Sequence, residues 1–214
     1  MEYGWKIKMN QKDIQNTNCF EYGKTESEDK PNEKIMAAVK VIIKEIGDDP
    51  EREGLQRTPL RYARAMAEWC GGYNKDPKEV LNRTFPSEGY DDMVVIKDIE
   101  YDSHCEHHIT PFTGHAHIGV IYGDKITGLD KFVKLVDVYA RRLQTQEVMT
   151  KQIGDAIVNV LKPKGVIIVI EGKHNCVGSR ETKNKSTKFI TTFRYGSFKD
   201  DSAIENRFLQ YVYR

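Results

Sequence analysis

Five consecutive residues, His104-Cys105-Glu106-His107-His108, together with a downstream partner, His174-Asn175-Cys176, constrain this chain more than any other stretch. All six histidines fall between positions 104 and 174: three in the pentapeptide, then His115, His117 and His174. A thiolate at Cys105 and an imidazole at His108 reach one metal ion from a single turn, and Cys176 supplies a third soft ligand from a distant strand. Any fold this chain adopts must therefore bring two remote segments together, as a Cys₂His site with one position open.

An open fourth position distinguishes a working zinc site from a structural one, because it leaves room for a water whose pKa falls to about 7. His107 and His174 are then left over as acid–base groups beside the metal. The competing reading is a closed Cys₂His₂ knuckle in which His107 or His174 is the fourth ligand and no reaction occurs. The surplus of imidazoles suits proton transfer better than ligation alone. His104-Cys105-Glu106 also reads as the H-x-E of zinc deaminases, but that signature requires a downstream P-C-x-x-C, and no such cysteine pair is present.

The chain has 214 residues, enough for one sizeable core or for one domain with an N-terminal appendage. A formal net charge of +1 provides no electrostatic footprint for nucleic acid or an anionic membrane. No apolar run approaches a membrane span, and Met1-Glu2-Tyr3-Gly4-Trp5-Lys6 lacks the apolar core of a signal peptide, so a cytoplasmic protein is expected. Of the four cysteines, two sit in the histidine-rich motifs, which favours metal ligation in a reducing compartment over disulfides. Cys70 reads as a small apolar residue and Cys19 has no legible role.

Residues 1–32 are polar and aperiodic and are expected to be mobile. In the helical region 33–92, Ile35, Val39, Ile42, Ile43 and Ile46 recur at helical spacing, and Thr58-Pro59 reads as a cap and first-turn proline opening a second helix through Trp69. Arg61 and Arg64 on that helix form a solvated face or, beside a polyanion, phosphate ligands. From 93 onward the pattern is a strand Met93–Tyr101, a strand Phe112–Tyr122, a helix Asp130–Leu143, a helix from about Gln146 to Leu161, a strand Val166–Ile170, and a strand Lys188–Phe198, with a short helix around Ile204–Tyr213. His115 and His117 read as histidines on the sheet surface. The predicted fold class is α+β: an antiparallel four-stranded sheet in the order ββααββ, with two helices on one face, behind N-terminal helices. Such a sheet exposes edges and one face, which closure against copies of itself in a ring removes, so a cyclic homo-oligomer is expected.

The motifs Cys105-Glu106-His107-His108, Gly128-Leu129-Asp130-Lys131, Arg141 to Glu147 (RRLQTQE) and His174-Asn175-Cys176 resemble GTP cyclohydrolase I, a tunnelling-fold family, as do Asp49 to Leu55 (DPEREGL) and Thr58-Pro59 upstream. The resemblance spans roughly residues 33–198. It implies a catalytic tunnelling-fold domain over 93–214 and zinc-dependent hydrolytic opening of the GTP imidazole ring, with loss of formate and reclosure to 7,8-dihydroneopterin triphosphate. It also implies a homo-oligomer, a decamer of two stacked pentameric rings with sites between subunits. By the same resemblance Cys105, His108 and Cys176 hold zinc, and His107 and His174 transfer protons. Gln146 and Glu147 bind guanine, with a carboxylate accepting two parallel hydrogen bonds from N1–H and the 2-amino group. Lys131 and Arg180 match the family's triphosphate ligands. Lys134 stands where an arginine is usual, Asp130 replaces a usual serine on the ribose side, and Glu181 stands where glycine is usual. These three departures leave open a cyclohydrolase of the same fold acting on another purine nucleotide. A non-catalytic zinc-stabilised scaffold is the reading from a different class. The related nitrile reductase of queuosine synthesis is disfavoured, since that chemistry needs no zinc triad.

Overall fold

The computed structural model describes residues 31–180 and 184–214; Cys19 and the rest of segment 1–30, and Glu181, lie outside the described residues. The first helix, α1 (Glu33–Glu45), starts where it does because the Asn32 side chain accepts from the backbone N–H groups of Lys34 and Ile35. Its buried face is narrow, Val39 and Ile43, while Ile42 and Ile46 of the predicted stripe are exposed. Helix α2 (Thr58–Trp69) packs against it. Thr58 is already helical, and the cap position falls to Arg57 without a side-chain cap; Pro59, with φ preset for a first turn, is buried there. A 3₁₀ turn at Gly71–Asn74 and a short helix α3 (Pro77–Leu81), capped by Asp76, lead to strand β1 (Thr84–Pro86).

The central sheet is built on β2 (Met93–Cys105), β3 (Thr110–Ile121), β6 (Gly165–His174) and β7 (Phe189–Gly196), each antiparallel to its neighbour in that order. This is the predicted four-stranded antiparallel sheet. The chain adds a two-residue fifth strand, β5 (Leu143–Gln144), parallel to the end of β2, and a separate ribbon in which β1 pairs β4 (Lys125–Thr127). Helix α4 (Leu129–Ala140) stops three residues short of the predicted end because the chain leaves it to make β5, and α5 (Gln146–Leu161) matches its apolar stripe.

Both long helices lie on one face of the sheet. Phe112, Ala116, Ile118 and Val120 alternate along β3 toward Phe132 and Leu135 of α4 and Met149, Ile153 and Ile157 of α5, and every one of these residues is fully buried. Each of these side chains except that of Ala116 contributes about 1.5–3 kcal/mol on removal from water. Gly154 lets α5 sit close to β7, since a Cβ there would lie 2.4 Å from the Phe193 ring.

The opposite face is not left bare as expected. Helix α8 (Ser202–Tyr213), reached through one turn of helix, α7 (Ser197–Asp200), lays Phe208 and Val212 on Met93, Ile121, Ile167 and Val169 as a second core. This corrects the surface reading of His117, which is 4% exposed beneath that helix, while the His115 side chain remains half exposed. A bulge between Ile96 and Ile99 puts Asp98 at positive φ and turns its N–H onto His117 Nδ1 at 3.1 Å. That fixes Nδ1 as the acceptor, and burial pushes the His117 pKa down.

Candidate active site

The metal motif begins as strand. β2 continues beyond the predicted Tyr101 to Cys105, because His104 and Cys105 pair both with Pro111 and Thr110 of β3 and with Leu143 and Gln144 of β5. Residues 106–109 then fold into a turn in which the N–H groups of His108 and Ile109 both donate to the Cys105 carbonyl, at 3.3 and 2.8 Å. Ile109 takes positive φ to reverse the chain into β3, a position where a β-branched residue is strained. The result places Cys105 Sγ 3.9 Å from Nδ1 of both His107 and His108.

The second segment arrives through the sheet. β6 pairs with β3 so that His174 stands opposite Phe112, and one turn of helix, α6 (Asn175–Gly178), follows immediately and carries Cys176. One ligand atom each from Cys105, His108 and Cys176 lie within 4.8 Å of one another, and among the described residues this is the one such group. Two thiolates and an imidazole are the donor set of a zinc site with one position free. Burial and the neighbouring Cys105 sulfur push the Cys176 thiol pKa up, so two sulfurs share a space that a divalent cation would neutralise. The residues therefore fit the metal. Arg180 Nη1 donates to His108 Nε2 at 2.8 Å, which brings that guanidinium to the rim of the cluster.

His174 is the most constrained of the acid–base candidates. Its ring stacks on Phe112 at 4.4 Å between centroids and 8° between planes, Phe189 meets it edge-on at 5.1 Å, and Nε2 lies 2.9 Å from Gln146 Oε1. Burial lowers its pKa, with Glu147 acting in the opposite direction. His107 by contrast has a side chain 65% exposed, with Glu106 3.6 Å from its Nε2. Trp69 stacks on His104 on the other side of the sheet, at 4.7 Å.

Gln146 opens α5 after the Thr145 cap and is 2% exposed, with its side chain turned into the protein, while Glu147 beside it is exposed. The pairing of Gln146 and Glu147 in sequence thus divides in space, one facing His174 and one facing solvent. Gly172 leaves room for this arrangement, because a Cβ there would lie 2.3 Å from Gln146 Oε1 and 2.7 Å from the Tyr101 hydroxyl.

Asp130, Lys131 and Lys134 form a second cluster at the start of α4. Asp130 bonds Lys134 at 2.8 Å and lies 3.9 Å from Lys131 Nζ, and the Lys134 bond holds its carboxyl below the usual carboxylate range. Its charge is therefore offset locally. The chain does not bring this cluster to the metal ligands: α4 begins beyond the Met93–Ile121 end of the sheet and ends where Leu143 joins His104, at the other. Twelve helical residues rise about 18 Å between the two.

Phe112, Phe189, Gly172, Thr150 and Thr191 all shape the surroundings of His174, and none was singled out by motif. Only the strand register, with Phe112 opposite His174, could have indicated one of them.

The sequence profile of a family described as GTP cyclohydrolase I matches residues 35–213. GTP cyclohydrolase 1 of Brucella suis (strain ATCC 23445 / NCTC 10510) and that of Brucella canis (strain ATCC 23365 / NCTC 10854 / RM-666) are each 45% identical to the chain over 177 residues, covering 82% of this chain and 83% of the relative. Among solved structures, an archaeosine synthase QueF-like protein in its apo form aligns with 49% of this chain and 94% of its own, at a TM-score of 0.41 and 15% identity. With a family profile matched from α1 to the end of α8, and that level of identity across most of its length, the chain belongs to the GTP cyclohydrolase I family of enzymes.

Proposed function

We propose that this enzyme opens the imidazole ring of GTP by hydrolysis, releases C8 as formate and recloses the remainder to 7,8-dihydroneopterin triphosphate, with zinc held by Cys105, His108 and Cys176. The observation that carries this reading is the convergence of those three ligand atoms within 4.8 Å beside a histidine fixed on three sides. A zinc ion there supplies a Lewis acid able to make a water nucleophilic near neutral pH. The chain's own groups do the rest. His174, neutral and stacked, gives and takes a proton at the purine N7, and the exposed His107 exchanges protons with solvent as the C–N bonds break. Glu147 accepts from N1–H and the 2-amino group at the Gln146 end of α5, a two-point contact that adenine cannot make. Lys131, Lys134 and Arg180 bind the triphosphate, with Asp130 ordering the two lysines and facing the ribose.

Since the lysine cluster and the metal ligands sit at opposite ends of one sheet, a complete site requires the lysine end of one subunit to meet the metal end of another. That supports a ring-shaped homo-oligomer, with two stacked pentameric rings as the expected form. No helix among the described residues is long and apolar enough to cross a membrane; we place the enzyme in the cytoplasm.

The test is to incubate zinc-loaded protein with GTP, following formate and the pterin absorbance, beside Cys105→Ala. Both signals in the wild type and neither in the variant are expected. Stoichiometric zinc with GTP untouched overturns the reading, and competition among GTP, dGTP and GMP then identifies any other nucleotide.

A further inference from the structure

Gln146 is placed by sequence among the residues that would touch guanine, yet its amide protons are all engaged within the protein. The two protons on the amide Nε2 are shared among the Ile170 carbonyl at 3.0 Å, the Phe189 carbonyl at 3.1 Å and the Thr191 hydroxyl at 3.1 Å. Two of these three partners are backbone carbonyls, which only accept, so the orientation of the amide is fixed by chemistry and not by choice of atom names. Oε1 must therefore be the atom facing His174, 2.9 Å from Nε2, and as a carbonyl oxygen it can only accept.

A chain of hydroxyls closes on the same residue and reinforces that direction. Thr150 Oγ1 donates to the Gln146 carbonyl at 2.7 Å, so its own oxygen receives the proton of Thr191 Oγ1, 2.7 Å away, and Thr191 in turn accepts from Gln146 Nε2. Each hydroxyl in this ring then donates to one acceptor. The cluster is buried, with Gln146 at 2% and Thr150 at 1% exposure, so reversing it would leave acceptor facing acceptor out of reach of water.

We propose that Gln146 is a positioning residue: its amide, oriented by the Ile170 and Phe189 carbonyls, locks His174 in the Nε2–H tautomer and leaves Nδ1 as the nitrogen that exchanges protons with substrate. Phe112 and Phe189 hold the plane of the ring, and Gln146 sets its rotation about that plane. Among the described residues no hydrogen bond engages Nδ1, as a proton-transferring nitrogen requires. Glu147 is then the exposed member of the pair, free to read the guanine edge.

The inference rests on the GTP-opening reading, and the experiment separates the two. Protein labelled with ¹⁵N-histidine is examined by NMR at a pH where His174 is neutral, its signals assigned by their loss in His174→Asn. A protonated Nε2 with a bare Nδ1 is expected; the Nδ1–H tautomer, or a rapidly exchanging mixture, in the wild-type protein overturns the proposal. Gln146→Asn, which withdraws the amide by one methylene, should lower kcat about 10- to 100-fold, the range for loss of an orienting partner, with KM for GTP within about twofold. A raised KM with kcat unchanged would instead make Gln146 a substrate contact and sink the idea. A wild-type enzyme that releases no formate would defeat the GTP reading while leaving the tautomer result standing.

Discussion

His117 gives the residue scale its clearest pH prediction. Burial pulls its pKa below the ordinary value of 6.5, with Asp98 and Glu171 opposing that shift and His115 and Lys97 adding to it. The unfolded chain therefore binds more protons than the folded one between the folded value and 6.5. Stability is fully present above 6.5 and is lost as pH falls through that window. His117→Gln should flatten the acid limb of a urea-midpoint profile by up to about 1.4 kcal/mol per pH unit, and an unchanged slope would show that the ring protonates freely. For the substrate, Glu147→Gln should lower kcat/KM for GTP about 10- to 100-fold, the cost of a lost charge-assisted contact, while leaving zinc content at the wild-type level.

At the scale of elements, α8 is tested by Phe208→Ala. This fully buried ring should cost about 3–5 kcal/mol in chemical unfolding, and a loss of well under 1 kcal/mol would mean that the helix merely rests on the sheet. Gly154→Ala pushes a methyl group into the Phe193 ring and should cost about 1–3 kcal/mol by driving α5 from β7. The sequence shows α5 clearly, because its stripe from Met149 to Leu161 repeats at one period and packs on one surface. The burial of His117 was not legible, since a histidine alternating with Gly119 and Ile121 resembles a solvated face until a helix some eighty residues later covers it. The true end of β2 was hidden for another reason: His104 and Cys105 draw attention as ligands, while their backbones pair as strand. Similarly, the cluster of Cys105, His108 and Cys176 was foreshadowed by their motifs, but the hydroxyl ring behind Gln146 joins residues on α5 and β7 that no local pattern connects.

For the whole molecule, the separation of the lysine cluster from the metal cluster makes a prediction about mixtures. Lys131→Ala and Cys105→Ala should each be nearly inactive alone. Equal amounts, dissociated and reassembled together, should regain about one quarter of the wild-type sites if each site draws on two subunits. Mixtures that stay as inactive as their parents would place both clusters in one chain's site. Sedimentation should show a closed assembly with no monomer at working concentration.

The nearness of Cys105 and Cys176 also has a redox consequence. Two sulfurs gathered for a cation are, when the cation is taken away, two thiols within reach of each other and of peroxide, which can accept their two hydrogens and leave a disulfide. Protein treated with a chelator and left with peroxide should then resist zinc loading until a dithiol is added, whereas protein loaded with zinc before oxidation should keep both metal and activity.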